Sequence, residues 1–505
     1  VLESVDALCD CWRMEIDAFG FEHTYRSLPE QFHARLEPTP VAGPRLFALN
    51  QELAKQLRLP LPALIANGAQ IFSGNQLPPD AQPIALAYAG HQFGGFVPQL
   101  GDGRALLIGE LVDCEGRRRD LQLKGAGPTP FSRRGDGRAA LGPVMREYLV
   151  SEAMHALGIP TTRALAAVTT GESVVREEVL PGAVFTRIAA SHLRVGTFEY
   201  FAAQSDWPSV EQLARYAIDR HYPELKGVDR PFLGLLAGVA QRQAALVADW
   251  MRVGFIHGVM NTDNSSISGE TIDYGPCAFM DAYDPKAVFS AIDRSGRYAF
   301  ANQPYIAQWN LARLAEALLP LIDADLEKAV ESAREVIQDM LTRFERHWLI
   351  NMRAKIGLQR EHADDRSLVE GLLEIMHRGG ADFTQTFRKL CDANQSLEAT
   401  PAVRECFGVP ADYDAWALRW KERLAAEPTT VAEQSDLMRK SNPARIPRNH
   451  RIEQAIQAAI LADDFGPFER LGAALCEPYR ESEEYREFEI PPTEAQRVRR
   501  TFCGT

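Results

Sequence analysis

Hydrophobic positions change period near residue 190 of this chain. Between Ile84 and Phe185 apolar and polar residues alternate in short runs broken by glycine, the period-two pattern of strands with one face on a core. In residues 119–124, Asp120, Gln122 and Lys124 share one face and Leu121 and Leu123 the other, so Lys124 is expected to point into a cleft. A helix interrupts the strands: Pro143 stands in its first turn, Gly158 and Pro160 close it, and Leu149, Ala153, Ala156 and Leu157 form its apolar stripe. From about Leu193 the period is helical. Leu311, Leu314, Ala315 and Leu318 recur at i, i+3, i+4 and i+7, and similar patterns fill 326–348 and 452–461. Gln359 to Arg366 lacks such spacing and is expected as a surface loop.

Two flanking segments follow neither pattern. Residues 30–85 carry Pro38, Pro40, Pro44, Pro60, Pro62, Pro78, Pro79 and Pro83, which suits a wrapping extension with short helices. The stretch from Tyr479 to Thr505 is mixed in charge and is expected to be extended or loosely docked. The expectation is an α+β chain: an extension (1–85), a β-rich lobe (86–190), a mainly helical lobe (191–478) and a tail (479–505).

Composition narrows function only by exclusion. Of 505 residues, 46% are hydrophobic and 24% charged, without an apolar run long enough to span a bilayer. A net charge of -13 argues against general nucleic-acid binding, which needs a basic field. Any phosphate site must therefore be local, and the expected partners are neither nucleic acid nor membrane. The eight cysteines, at 9, 11, 114, 277, 391, 406, 476 and 503, lack paired zinc spacing and fit a reducing compartment. The first residues show neither a secretory signal nor an arginine-rich transit peptide, so the bacterial cytoplasm is expected, or the mitochondrion of a eukaryote. Met14 precedes a segment that reads as a natural start, leaving open whether residues 1–13 are native.

Several groups suit phosphate chemistry. Gly90-His91-Gln92-Phe93-Gly94-Gly95 and Gly101-Asp102-Gly103-Arg104 are glycine-rich turns whose amides could approach phosphate oxygens, or plain hairpin turns. Glu147 sits on the helix stripe with Val144, Ser151 and Met154, beside buried surface, and needs a partner; Lys124 is the obvious one. Arg133, Arg134 and Arg138, with Gly135, Asp136 and Gly137, make a compact cationic loop that is either an anion site or simply solvated. Arg187 and Arg194 flank a hinge expected around Ala189 to His192. The stretch His257-Gly258-Val259-Met260-Asn261-Thr262-Asp263-Asn264, then Asp273-Tyr274-Gly275, is similar to a protein-kinase catalytic loop and its metal loop. Asn264 falls at the metal-ligand position. Val259 stands where the catalytic Asp belongs, and a carboxylate, Asp263, appears beside the Asn instead. Ser265 to Asp273 reads as a hairpin turning at Ser268-Gly269, which would bring Asp273 back to Asn264. His257 is expected to tie the loop down.

Together, the G-H-Q-F-G motif at 90–94, Gln99 to Arg104, Lys124-Gly125, Ser132 to Arg138, Arg187 and the H-G-V-M-N-T-D-N motif at 257–264 resemble the selenoprotein O (YdiU) family, from about Leu28 to the C-terminus. The resemblance implies a protein-kinase-like bilobal fold that binds ATP in a flipped orientation and transfers AMP to Ser, Thr or Tyr hydroxyls of protein substrates. It implies that Lys124 contacts the phosphates and pairs with Glu147, while Gly101, Gly103, Arg104, Asp136, Gly137, Arg187 and Arg194 shape the nucleotide site. Asn264 and Asp273 would hold Mg²⁺ or Mn²⁺, and Asp263 would be the general base. Ser265 departs from the Met that many members carry there. The resemblance also implies a redox-sensitive tail, with Cys503 able to bond a cysteine such as Cys277. UMP transfer from UTP with Mn²⁺ is a variant of this reading, and a monomer is expected. A conventional kinase, or a non-catalytic ATP-binding scaffold, are the alternatives.

Overall fold

The computed structural model describes residues 16–395 and 400–502. Its N-terminal half is built on an antiparallel sheet from β1 (His33–Arg35), β2 (Arg45–Leu49), β3 (Ile84–Leu86), β6 (Ala105–Val112), β7 (Arg118–Lys124), β8 (Ala139–Ala140), β9 (Arg163–Val175) and β10 (Val179–Ala189). The order is β1-β3-β6-β7-β10-β9-β2, with β8 also pairing with β10. The proline-rich segment thus does more than wrap, since β1 and β2 form the two edges of the sheet. Between the proline clusters, Arg45 to Leu49 is a proline-free run that pairs along one side with β9, with an irregularity between Leu46 and Ala48.

Both faces of the sheet are covered. One lies against α1 (Gln51–Gln56) and α2 (Leu61–Ser73), in a core that includes Leu64, Phe72, Leu106, Leu121, Leu165 and Val184. The other lies against α3 (Leu141–Ala156), whose Met145, Leu149 and Ala153 join a second core that runs on into the helical half. Small residues on the strands, Ala164, Ala166, Ala167 and Ala183, are wholly buried and let the helices approach closely.

The C-terminal half comprises α4 (Val195–Ala202), α5 (Trp207–His221), α6 (Pro231–Arg252), α7 (Gln303–Ile322) and α8 (Leu326–Lys355), followed by α9 (Asp365–Gly379), α10 (Phe383–Gln395), α11 (Thr400–Arg404), α12 (Pro410–Ala425) and α13 (Val431–Ser441). Leu311, Leu314, Ala315 and Leu318 of α7 are buried, and Gln359 to Asp364 forms a loop between α8 and α9 with most of its residues exposed. The last two helices, α14 (Asn449–Ala462) and α15 (Gly466–Leu475), return to the N-terminal half and pack on α3. Arg146 of α3 pairs there with Glu453, and Ile456 lies against Gly142. The tail is docked more firmly than its composition suggests. Phe488 is buried, and Thr501 bridges Ser290 while its hydroxyl donates to the Pro276 carbonyl at 2.7 Å. Cys503 lies outside the described residues, as do residues 1–13. Among the described residues, no helix is long and apolar enough to cross a membrane.

The connection from β10 to α4 is held by buried polar groups. The His192 amide and ring meet Asp120 at 2.9 and 3.0 Å, Arg220 binds the same carboxylate at 2.5 Å, and His221 meets the Ser191 hydroxyl at 2.6 Å. Burial lowers His192 to about 4, against the pull of Asp120, and lowers His221 to about 3. Both rings are therefore neutral when folded and regain their ordinary value of 6.5 when the chain unfolds. The unfolded state then binds more protons below pH 6.5, so stability is complete above that value and falls as pH drops toward 4 and 3. Denaturant melts at stepped pH should show a loss of up to about 1.4 kcal/mol per pH unit for each ring, and His221→Gln should flatten the slope. An unchanged slope would contradict the assignment.

Candidate active site

Register and helix placement bring three cations and two carboxylates together. Strands β7 and β10 pair with Gln122 opposite Arg187 and Lys124 opposite Phe185, which puts Gln122, Lys124 and Arg187 on one face. Helix α3 crosses that face and delivers Glu147, whose Oε2 lies 2.7 Å from Lys124 Nζ and whose Oε1 lies 3.2 Å from Arg187 Nη1. Asp273 closes the group. Its Oδ1 accepts from Lys124 at 2.9 Å and Arg187 at 2.6 Å, and its Oδ2 from Arg194 at 2.6 Å. Burial alone would raise Asp273, but Arg187, Lys124 and Arg194 hold it well below the usual carboxylate range. Its backbone sits at φ 63°, a left-handed conformation that a non-glycine residue keeps only when its surroundings impose it.

The polar face of β7 is therefore not a solvated face. Gln122 accepts from Arg187 at 2.6 and 3.2 Å and donates to Asp102 at 3.1 Å, and Asp120 anchors the β10–α4 connection.

The second half of the site is the loop between β11 (Phe255–Ile256) and β12 (Ala278–Phe279), whose two-residue pairing closes it. His257 ties this loop down: its ring meets the Ile272 carbonyl at 2.9 Å, and its amide donates to Gln303 at 3.0 Å. Thr262–Asn264 forms a single 3₁₀ turn. The expected hairpin at 265–273 does not form. A turn is present, with the Gly269 amide donating to the Ser266 carbonyl, but its arms pair elsewhere: Ser266 bridges Arg194 and Thr271 bridges Thr161. Single bridges to the segments at Thr161 and Arg194 take the place of local pairing, and Asp273 reaches the loop through Arg194. That side chain donates from one nitrogen to both Asp273 Oδ2 and the Asp263 carbonyl, each at 2.6 Å.

Asp263 is nearly enclosed, with 9% of its surface exposed. The glycine-rich run at 90–95 lies over it as a hairpin, β4 (Gly90–Gln92) and β5 (Gly95–Val97), turning through Phe93 and Gly94 at φ 51° and 88°. The hairpin grips the loop at three points. The His91 amide donates to the Thr262 hydroxyl at 2.7 Å, the Phe93 amide to Asn261 at 3.0 Å, and Gln92 to Asp263 Oδ2 at 3.4 Å. A Cβ at Gly90 would stand 2.6 Å from Asp263 Oδ1, so any side chain there would have to displace the carboxylate. Burial pushes Asp263 up to about 6, against the pull of Arg194. That value suits a group that is ionised at neutral pH and still able to take a proton. Asn264 donates its amide to the Val259 carbonyl at 2.9 Å, which orients its side-chain oxygen away from that carbonyl.

The remaining expected residues fall into two sets. Gly101, at φ 66°, and Gly103 let the 101–104 turn pack on the 129–132 loop: a Cβ at either would overlap Phe131, and the Thr129 hydroxyl donates to the Asp102 carbonyl at 2.7 Å. Arg104 follows directly, its carbonyl accepting from the Gly125 amide at 2.7 Å. Asp136 and Gly137 are engaged elsewhere. Asp136 makes a two-pronged pair with Arg176 at 2.8 and 3.0 Å, and Gly137 packs on the Gly127 backbone. Sequence reasoning named Asp102, which burial raises to about 6, Gln122 and Gln92 only as parts of motifs, without roles of their own, and did not name Glu199. For Gln122 the signal was available, since it shares the face of Lys124.

A cation–carboxylate group thus lies beside an enclosed carboxylate, and the similarities to other proteins say which class of protein carries it. The chain matches the family described as protein adenylyltransferase SelO over residues 16–475. It is 60% identical over 492 residues to the protein nucleotidyltransferase YdiU of Rhizobium rhizogenes, covering 97% of this chain and 98% of that protein. Proteins of the same name from Bradyrhizobium diazoefficiens (59%, covering 96% and 99%) and Rhizobium meliloti (58%, covering 97% and 100%) are similar over 488 residues each. The enzyme is thus a nucleotidyltransferase. The chain belongs to the protein adenylyltransferase SelO family.

Gly90→Ala should turn the Asp263 carboxylate out of place. Nucleotide transfer is expected to fall about 100-fold, the penalty of a misplacement near 1 Å, with ATP affinity unchanged. Full turnover by Gly90→Ala would show that the hairpin does not set this carboxylate.

Proposed function

We propose that this protein has a protein-kinase-like fold and transfers AMP from ATP to Ser, Thr or Tyr hydroxyls of proteins, releasing pyrophosphate. The observation that carries the reading is the position of Asp263: a buried carboxylate next to Asn264, joined through Arg194 to the Lys124–Glu147–Arg187–Asp273 group. Family membership supports the transfer of a nucleotide, and the family's description as protein adenylyltransferase points to an adenylyl group and a protein acceptor.

In this reading Lys124, Arg187 and Arg194 neutralise the phosphates, and Glu147 holds Lys124 and Arg187 in place. The acceptor hydroxyl oxygen attacks the α-phosphorus as its proton passes to the Asp263 carboxylate. The bond from the α-phosphorus to the bridging oxygen breaks, and pyrophosphate leaves with that electron pair. Positioning and charge neutralisation supply the rate, since no covalent enzyme intermediate is needed.

One amide oxygen, from Asn264, and one carboxylate, from Asp273, make a donor set suited to Mg²⁺ or Mn²⁺, which keep water and phosphate oxygens as further ligands. Asp273 is held ionised, as a ligand must be, but both its oxygens accept from Lys124, Arg187 or Arg194, so at least one of these contacts would have to pass to a phosphate for the ion to bind. The bound ion would offset phosphate charge. Gly101, Gly103, Arg104, Asp136 and Gly137 are assigned to the nucleotide site on family resemblance. The Asp136–Arg176 pair would have to open for Asp136 to serve there.

Incubation with α-labelled and γ-labelled ATP in Mg²⁺ or Mn²⁺ tests the reading. Label from the α-position alone, with the mass of AMP on the modified peptide, is expected; γ-label would make the protein a kinase. Asp263→Ala should abolish transfer and leave ATP affinity within about twofold, while Lys124→Ala should weaken ATP binding by about tenfold or more, the loss expected for one charge-assisted contact. Chelation of divalent metal should stop transfer, and persistence in excess chelator would remove the metal from the mechanism.

A further inference from the structure

Asp263 stands between two different surroundings. Its carbonyl faces Arg194 and the group proposed to hold the nucleotide; its side chain faces the β4–β5 hairpin. An acceptor protein must approach from a side the nucleotide does not fill. On the hairpin side the structure carries a continuous surface of arginines and aromatic rings.

Trp309 is its centre. The guanidinium carbons of Arg297 and Arg313 lie 4.7 and 4.9 Å from the Trp309 ring centre, and His91 meets the ring edge-on at 5.2 Å. Glu199 of α4 fixes His91 from behind at 2.5 Å. Phe96, opposite His91 in the hairpin, packs on its ring and is 41% exposed; Tyr305, one turn before Trp309 on α7, is 61% exposed. Arg297 also lies beside Gly94 at the hairpin tip. Among the described residues no carboxylate pairs with Arg297, and the Nε atoms of both Arg297 and Arg313 are buried without a partner. Arg313 has one ion pair, to the exposed Glu316 at 2.7 Å.

Arginines held over an indole are positioned to meet a carboxylate: Arg297 has no carboxylate partner among the described residues, and the exposed Glu316 on Arg313 can give way to an incoming one. On a chain with net charge -13, such a local positive surface beside the reacting carboxylate is electrostatically set apart. We propose that the Arg297–Trp309–Arg313 surface, with Phe96 and Tyr305, docks an acidic segment of the acceptor protein adjacent to its target hydroxyl. The aromatic rings supply contact area, and the arginines supply the preference for Asp or Glu near the acceptor. This rests on the proposed transfer to protein hydroxyls and names the substrate class of that site.

Two labelled peptides test it, each with one Tyr acceptor, flanked by Asp and Glu in one and by Lys in the other. Binding to the full chain is read by fluorescence anisotropy, and AMP transfer separately with α-labelled ATP. The acidic peptide should bind about tenfold tighter than the basic one, with affinity falling as salt rises. Arg297→Glu with Arg313→Glu should reverse the order while leaving ATP affinity unchanged. Arg297→Gln with Arg313→Gln, which keeps polar side chains on the indole, should abolish the preference without reversing it. Equal binding of the two peptides by the unaltered chain, or an equal effect of the Glu variant on both, would overturn the proposal. Binding of the acidic peptide that depends on these arginines, without any AMP transfer, would sustain the docking surface and overturn the proposed reaction instead.

Discussion

Everything at the centre of this protein depends on neutralising one partly buried carboxylate. Asp273 accepts from Lys124, Arg187 and Arg194 together, and those cations come from β7, β10 and the segment leading into α4. Isolated in such a place, any of these charges would be costly; loss of one partner from a buried pair typically costs about 3–5 kcal/mol. The arrangement forms only when β7 and β10 are in register, α3 presents Glu147, and the segment after Thr271 follows its course to Asp273. One electrostatic requirement therefore ties the sheet to the helical half.

The enclosure of Asp263 follows from a second requirement. The hairpin at 90–97 engages the loop by donating its own backbone amides to the side-chain oxygens of Thr262 and Asn261, so neither amide is left unpaired. The same contacts bury the carboxylate and raise it to about 6. Anchoring of the loop and tuning of Asp263 are thus the work of the same few hydrogen bonds. His257 on one side and the β11–β12 pairing on the other keep the loop from relaxing away from the hairpin.

How much of this was legible in the sequence depended on range. Period-two alternation placed Lys124 on the cleft face, and helical period placed Glu147 on a buried stripe; both patterns are local, and their meeting at 2.7 Å followed. Asp263 was legible because a carboxylate stood beside an amide where a kinase loop has its metal ligand. Edge strand β2 was hidden because proline density around it masks a five-residue run. At 265–273 the turn was legible and the pairing was not, since Arg194 and Thr161 lie far away in sequence. Asp102 sits between two glycines that attract the eye, yet its contacts to the Leu86 amide and Gln122 depend on strand order. The cationic loop at 133–138 gave no sign that Asp136 would be held by Arg176, which comes from the β9–β10 turn.

Transfer of AMP requires the α-phosphate, not the γ-phosphate, to lie at Asp263. A crystal structure of the complex with a non-hydrolysable ATP analogue and Mn²⁺ tests that directly. The account predicts the α-phosphorus within reach of the Asp263 carboxylate, the cation on Asn264 and Asp273, and Lys124 and Arg187 on phosphate oxygens. A γ-phosphate facing Asp263, or a nucleotide bound away from Lys124, would contradict it.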